Sequence, residues 1–371
     1  FNKSIDNIKS LGIFKKVNYK INEGTTSNTK KIELIVEEQP TGEITLGAGY
    51  GTNGGTVAAG IVEKNFLGKG INLNTNIEIS EEKIKGQFIY SKPNFAYTDN
   101  TLFTSFSSST DDFLTTFGYK ASKIGFSLGT KFEQYRDLFF SPEIDVSFED
   151  LETNSTASSN ISKQKGNYND AYFNYGLLYD KRDSAYKPTS GYRTSLRQEL
   201  PLISDTAEIT NTFNYTKYRV LNQNSNMIGK ANFLLKTVNS FKSSDVRISK
   251  RAQVPYSKLR GFERGGIGPV DSNLDHIGGN YVSAVNLSSS LPQIFSTVEN
   301  VDFSYFIDIA NVWGVDFDSD ISNSNYLRSS TGIGLDLLTP IGPLSFSIAQ
   351  PITKKSSDLT EKFRFNLGTT F

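Results

Sequence analysis

Few residues in this chain could do covalent chemistry, and their spacing argues against it. His276 is the only histidine and there is no cysteine. A lone loop histidine gives no Ser-His-Asp arrangement beyond the presence of the three residue types, so we expect a solvated side chain there. Asp316, Asp318 and Asp320 imitate the opening of a calcium loop. Ile321 stands where that loop needs glycine and Leu327 where it needs a bidentate glutamate, so the triad reads as a solvated loop. Gly47-Ala48-Gly49-Tyr50-Gly51 opens no helix, and GFERGGIG lacks the Lys-Ser/Thr of a phosphate loop. The sequence offers no metal site, no cofactor site and no catalytic constellation, and we expect no enzyme.

One polar combination stands out. VPYSKLRGFERGGIGP, residues 254–269, sets a basic residue and an aromatic inside a glycine-rich run. If this stretch folds inward, Arg260 can pair with an inward carboxylate. Asp302 and Asp308 share the polar face of VDFSYFIDIA and are the candidates.

The elements that must position these residues show two periods. FNKSIDNIKSLG, residues 1–12, has helical spacing, with Phe1, Ile5, Ile8 and Leu11 on one face and Gly12 as a C-terminal cap. Val17, Tyr19 and Ile21 then alternate, as do Ile32, Leu34 and Val36 beyond a polar hairpin loop. Gln39-Pro40-Thr41-Gly42 closes this small α/β piece. From residue 42 onward the period is two: EITLGAGY, YFNYGLLYD, VDFSYFIDIA and LSFSIA alternate, and no convincing helix intervenes. The last residues, FRFNLGTTF, keep the pattern to the end of the sequence.

Composition fits these readings. Lys+Arg and Asp+Glu are equal at 39 each, so no basic field for nucleic acid is present. The chain holds 27 Phe and 18 Tyr against one Trp, together with 30 Gly, which favours strands and turns. No run approaches the length of a membrane helix. The chain opens without Met and without a charged-then-apolar leader, and reads as a processed or truncated form. A β-sandwich also alternates, but some 330 residues of strand are many for one sandwich, and the apolar face is aromatic while its reverse is small and polar. That suits a closed barrel with lipid outside and water inside, because in lipid every backbone group needs a partner. At about 9–11 residues per membrane strand plus connections, the length gives roughly 16 strands. The Pro/Gly turn at 339–343 should lie at the periplasmic end. The polar stretch 149–170 reads as a solvated outer loop.

Several motifs resemble the BamA family of outer-membrane β-barrel assembly factors, within the wider superfamily that also holds two-partner secretion transporters. Leu259-Arg260-Gly261-Phe262 is similar to its loop motif, followed by Ile267-Gly268-Pro269. FIDIANVWG resembles its Asp-x-Gly-x-Val-Trp strand, with Ala310 for the usual glycine. LLTPIGPLSFSIAQPI, FRFNLGTTF and the turn RDSAYKPTSG match further, and LGIFKKV and GEITLGAGYGTNGG resemble the end of the last periplasmic POTRA domain and the first barrel strand.

The resemblance implies an all-β fold, a transmembrane antiparallel barrel of about 16 strands over 40–371 preceded by part of a POTRA domain over 1–39, with an inward-folded loop around 254–280. It implies that Arg260 contacts the wall with Asp308 as partner, and that the family's second acidic partner is replaced by Ser288. It implies a lateral seam between the first and last strands, at Ile44, Leu46, Gly47 and Gly49 and at Phe365, Leu367, Gly368 and Phe371. Gly47, Gly49 and Gly51 should weaken the first strand, Gly368 should let the last one kink inward, and a terminal aromatic should also serve as an assembly tag. The implied activity is ATP-independent insertion of client β-barrels into the bacterial outer membrane, with accessory lipoproteins and the bilayer as partners and the N-terminal segment in the periplasm. Alternatives are a translocation or two-partner secretion transporter of the same superfamily, or a passive porin.

Overall fold

The computed structural model describes residues 5, 8, 12–26, 28–51, 54–185, 187–222, 227–242, 244–291, 301–316, 321, 325–339 and 342–367. Ile5 and Ile8 are helical, and Gly12 follows with a φ of +68°. Strands β1 (Phe14–Glu23) and β2 (Lys30–Glu38) form a two-stranded antiparallel sheet in which Tyr19 faces Leu34 and Ile21 faces Ile32.

Sixteen further strands close an antiparallel barrel. They are β3 (Gly42–Gly51), β4 (Gly54–Phe66), β5 (Ile71–Ser80), β6 (Lys83–Lys92), β7 (Thr101–Phe113), β8 (Tyr119–Tyr135), β9 (Leu138–Thr153) and β10 (Gly166–Asp180), then β11 (Gly191–Ser204), β12 (Glu208–Asn222), β13 (Met227–Ser240), β14 (Tyr281–Ser290), β15 (Val301–Trp313), β16 (Arg328–Thr339), β17 (Gly342–Thr353) and β18 (Phe363–Leu367). Each pairs with its sequence neighbours, and β18 returns to β3. An even number of strands brings the start of β3 and the end of β18 to one rim, here the terminal rim. The connection between β13 and β14 leaves from the opposite rim.

Alternation decides which face meets what. Phe88, Phe106, Phe126 and Val146 sit side by side on β6 to β9 and are 41–50% exposed. Ile44 and Leu46 on β3 are 73% and 82% exposed. So broad an apolar band on a sheet's outer face fits hydrocarbon rather than water.

Along β13 to β15 the lumen departs from the expected aqueous interior, while Lys123, Asp145, Arg197 and Glu199 line a polar inward cavity elsewhere. Leu234, Val238, Val282, Ala284, Ala310 and Val312 point inward and pack against Val246, Ala252, Val254, Leu259, Phe262 and Ile267 of the β13–β14 connection. An inward stripe of Val and Ala exists because a polypeptide segment, not water, covers it.

The stretch 149–170 is corrected in the same way. β9 runs to Thr153 and β10 starts at Gly166, so both ends of it are strand. The remainder carries a helical turn, Ser159–Ser162, whose Ile161 is buried with Tyr119, Leu151, Ile248 and Ile277 in a second apolar cluster. The turn at 181–190 on the terminal rim is held by Asp183. Its carboxylate accepts the backbone N–H groups of Ser184, Thr189 and Ser190 and the Thr189 hydroxyl. These donors hold its pKa down to about 2.

Candidate functional site

The β13–β14 connection, residues 241–280, turns into the barrel rather than away from it. Ala252 and Gly279 exchange backbone hydrogen bonds of 2.7 and 2.9 Å where it enters and leaves. Its deepest part is Leu259-Arg260-Gly261-Phe262. Leu259 and Phe262 are 4% and 1% exposed and anchor this part in the apolar lumen core.

Arg260 and Asp308 meet there. Arg260 Nε lies 2.8 Å from Asp308 Oδ2 and Nη2 lies 2.9 Å from Oδ1, a bidentate fork. The backbone N–H of Arg260 donates to the same Oδ2 at 3.1 Å. Asn286, directly across from Asp308 on β14, donates to Oδ1 at 3.0 Å and to the Lys258 carbonyl at 2.6 Å. Each carboxylate oxygen thus accepts two hydrogen bonds, as a fully buried anion requires. The guanidinium carbon lies 3.3 Å from the centre of the Phe306 ring, one inward position from Asp308. The Ser330 hydroxyl donates to the Arg260 carbonyl.

Gly261 has a φ of +90°, and a Cβ there would stand 3.2 Å from the Cβ of Ser330 and 3.3 Å from that of Ala349. Only glycine permits both that conformation and so close an approach to the wall.

The alternative carboxylate and the second partner fall elsewhere. Asp302 pairs with Lys187 at 2.7 Å in an exposed bridge near the terminal rim. Ser288 faces Phe306 on the neighbouring strand, while Asn286 occupies the place opposite Asp308. His276 is buried, not solvated as expected: its Nε2 lies 2.9 Å from the Ser357 carbonyl, because the connection 354–362 folds over it. Asp316 accepts hydrogen bonds from Val246 N–H and Asn280, a structural role. Asp318 and Asp320 lie outside the described residues. Among the described residues no cluster of His, Cys, Asp or Glu could hold a metal.

Arg364 carries a contact that sequence reasoning missed. It lies on the inward face of β18, between Phe363 and Phe365. Its Nη1 donates to the Tyr256 carbonyl at 2.7 Å, its Nη2 to the Phe262 carbonyl at 2.8 Å, and its Nε to Glu361 at 3.1 Å. Tyr256 stacks on the guanidinium and donates its hydroxyl to Glu361 at 2.9 Å. Glu361 N–H in turn donates to the Gly261 carbonyl at 3.1 Å. The lumen loop is therefore fastened to the last strand. The available signal was a lone cation on the polar face of FRFNL.

A second missed cluster fastens the loop to the opposite wall. Arg247 is fully buried against Asp170 at 2.6 Å, with Glu149 at 3.7 Å and Glu208 at 3.9 Å, and Tyr168 under its guanidinium. Lys250 lies 3.1 Å from Asp170 and 3.5 Å from Glu208, and Tyr172 donates to Glu208 at 2.9 Å. Three inward carboxylates from β9, β10 and β12 thus meet two loop cations.

The seam joins β18 to β3. Asn366 faces Gly51 and Leu367 faces Tyr50, and the rings of Tyr50 and Phe365 lie 6.1 Å apart across it. Ile44 and Leu46 point outward on β3, with Gly47 and Gly49 on alternate positions facing in. Gly368 and Phe371 lie outside the described residues.

The description that fits this architecture is the Omp85 superfamily domain, which matches residues 65–371. The chain belongs to the Omp85 superfamily. It is 22% identical over 361 residues to the outer membrane protein assembly factor BamA of Neorickettsia risticii, covering 92% of this chain and 46% of that protein. It is 24% identical over 442 residues to BamA of Neisseria meningitidis, covering 100% of this chain and 52% of that protein. The chain thus spans about half the length of these curated relatives. Among solved structures, BamA from Haemophilus ducreyi lacking POTRA domains 1–3 superposes with a TM-score of 0.83 at 25% identity, covering the whole of this chain and 78% of that one. CdiB from Acinetobacter baumannii shares the fold, with a TM-score of 0.58 at 12% identity over the whole of this chain and 68% of that one. The motif resemblance to β-barrel assembly factors stands with these matches, and an Omp85 barrel with such relatives places the chain in an outer membrane.

Proposed function

We propose that this chain is the barrel part of an outer-membrane assembly factor that folds and inserts client β-barrel proteins through its β3–β18 seam, without ATP. Residues 1–39 would be the end of its last POTRA domain, in the periplasm. The observation that carries the reading is the lumen loop. It is fastened to β9, β10 and β12 through Arg247 and Lys250, to β15 through Arg260, and to β18 through Arg364. A chain threaded through the lumen would have to displace this buried network, whereas a client strand could add at a side seam.

An opened seam exposes backbone N–H and C=O groups of β3 and β18 to lipid. These lack water as a partner, so an incoming strand that pairs with them is favoured. Free energy would come from strand pairing and from burial of the client's apolar face. Leu367 and Phe365 meet Tyr50 across the seam, and Ile44, Leu46, Gly47, Gly49, Gly368 and Phe371 are assigned to it from sequence. Client barrels, accessory lipoproteins and the bilayer are the proposed partners. The second reading, a secretion transporter of the same superfamily, is the one the CdiB folds fit.

The test uses the register and the absence of native cysteine. Tyr50→Cys with Leu367→Cys places two thiols across the seam. Insertion of a client barrel into liposomes should stop on oxidation and resume on reduction. A locked barrel that inserts clients at the reduced rate would sink the seam and leave lumen threading as the better account.

A further inference from the structure

The outer wall from β12 to β15 carries a depression that the seam and the loop leave unused. Strand register aligns two outward rows near the terminal rim. One is Lys217, Ala231, Leu287, Ile307; the next, one step nearer the rim, is Arg219, Gly229, Ser289, Tyr305. Gly229 and Ala231 lie between longer neighbours and leave a hollow of about 430 Å³. Leu221, Leu287 and Tyr305 wall it and are 57%, 45% and 44% exposed.

The charge of this hollow is one-sided. Lys217 and Arg219 line it, no carboxylate does, and among the described residues neither cation makes an ion pair. Outward cations on a membrane strand are strongly destabilising at the bilayer midplane and tolerated only near its interfaces. The level is marked by an outward tyrosine row. Tyr179, Tyr192 and Tyr215 stand ring to ring, with centroids 5.8 and 6.1 Å apart, and Tyr192 faces Lys217 in register. Such aromatic girdles sit at headgroup depth. Lys217 is therefore at the girdle, and Arg219 lies just beyond it on the aqueous side.

We propose that this hollow binds one anionic phospholipid from the leaflet at the terminal rim. Lys217 and Arg219 hold its phosphate, the arginine through paired N–H donors. The phosphate and glycerol region lies over Gly229 and Ala231, and an acyl chain runs from Leu287 and Ile307 toward the membrane interior. The proposal needs only that the barrel spans a bilayer, and it stands or falls independently of seam opening.

The test is native mass spectrometry of the full chain in mild detergent, offered phosphatidylglycerol or zwitterionic phosphatidylcholine at equal ratio. The protein should retain one phosphatidylglycerol in preference to phosphatidylcholine, and inorganic phosphate should not displace it. Lys217→Asn with Arg219→Asn should weaken retention roughly thirtyfold. Gly229→Leu with Ala231→Leu fills the hollow, keeps both cations and should also lose the lipid. Heat-modifiable migration reports whether each variant has folded. Equal retention of the two lipids by the unaltered chain overturns the proposal with no variant needed. So does unchanged retention by either folded variant, and displacement by inorganic phosphate would assign the cations to a free anion.

Discussion

The Arg260–Asp308 pair is a case where the geometry of the bonds matters more than the presence of charge. Asp308 is fully buried and its oxygens are saturated by Arg260, Asn286 and one backbone N–H. Removing the arginine leaves a buried anion with two fewer donors, which costs about 3–5 kcal/mol. Arg260→Ala should therefore lower the denaturation midpoint of the folded barrel in detergent, followed by heat-modifiable migration. Arg260→Lys should recover only part of the loss, because an ammonium cannot form the fork. Arg260→Leu combined with Asp308→Asn should be milder than Arg260→Ala alone, and a double variant as unstable as the sum of the singles would show that the two do not act as a pair. Asp183 supplies a pH prediction at the other rim. Its folded pKa, about 2, lies below the ordinary carboxylate range. The turn's contribution is thus present above the unfolded value and is lost as pH falls through about 2. The amides of Thr189 and Ser190 should keep their hydrogen-exchange protection at pH 4 and lose it only near pH 2. Loss of protection already at pH 4 would mean that the Asp183 bonds do not hold the turn.

At the scale of elements, the lumen loop shows what the sequence could and could not display. Strands were legible because each must alternate between lipid and lumen, and Phe and Tyr mark the lipid side on many strands, while Phe306 and Tyr172 face the lumen under loop cations. Arg260 was legible as an arginine in a glycine-rich loop, and Asp308 as a carboxylate on a polar face. Their meeting depends on a fold that brings residues 48 positions apart into contact, and so does the role of Arg364. Glu149 and Asp170 misled for a physical reason. Inward carboxylates of a strand end and charges of a solvated loop have the same local composition, and only the buried cation Arg247 distinguishes them. His276 was misjudged likewise, since burial by the 354–362 connection leaves no local mark. Gly261 tests the placement of the loop. Gly261→Ala must force a residue with a Cβ to a φ of +90° and press it against Ser330 and Ala349. A cost of about 1–3 kcal/mol is expected from the backbone alone. The damage should be local: the barrel should still form, while cysteine-attached spin labels on the loop and on β15 should report a broadened distance distribution. A narrow, unshifted distribution in Gly261→Ala would contradict the tight approach of the loop to the wall.

For the whole molecule, the interior is spanned by one loop held to opposite walls, and this has a consequence for ion flow that also separates the functional readings. The anchors at β9 and β10 lie across the barrel from the one at β18, with those at β12 and β15 between them, so breaking one set should tilt the loop and breaking both should release it. In planar bilayers the unaltered chain should conduct little, because apolar core and ion pairs occupy the lumen where a porin holds water. Arg247→Ala with Arg260→Ala should give larger and noisier conductance, and each single variant an intermediate one. A steady, wide conductance from the unaltered chain would show that the loop does not fill the passage and would return the passive porin to consideration. Client insertion by the same double variant then discriminates further. If clients assemble at the seam, a released loop no longer braces β18 through Arg364, and insertion should fall even as conductance rises. If the chain threads its cargo through the lumen, releasing the loop clears the path, and transport should rise together with conductance. The two readings thus predict opposite signs for one pair of measurements on one variant, which neither measurement alone could provide.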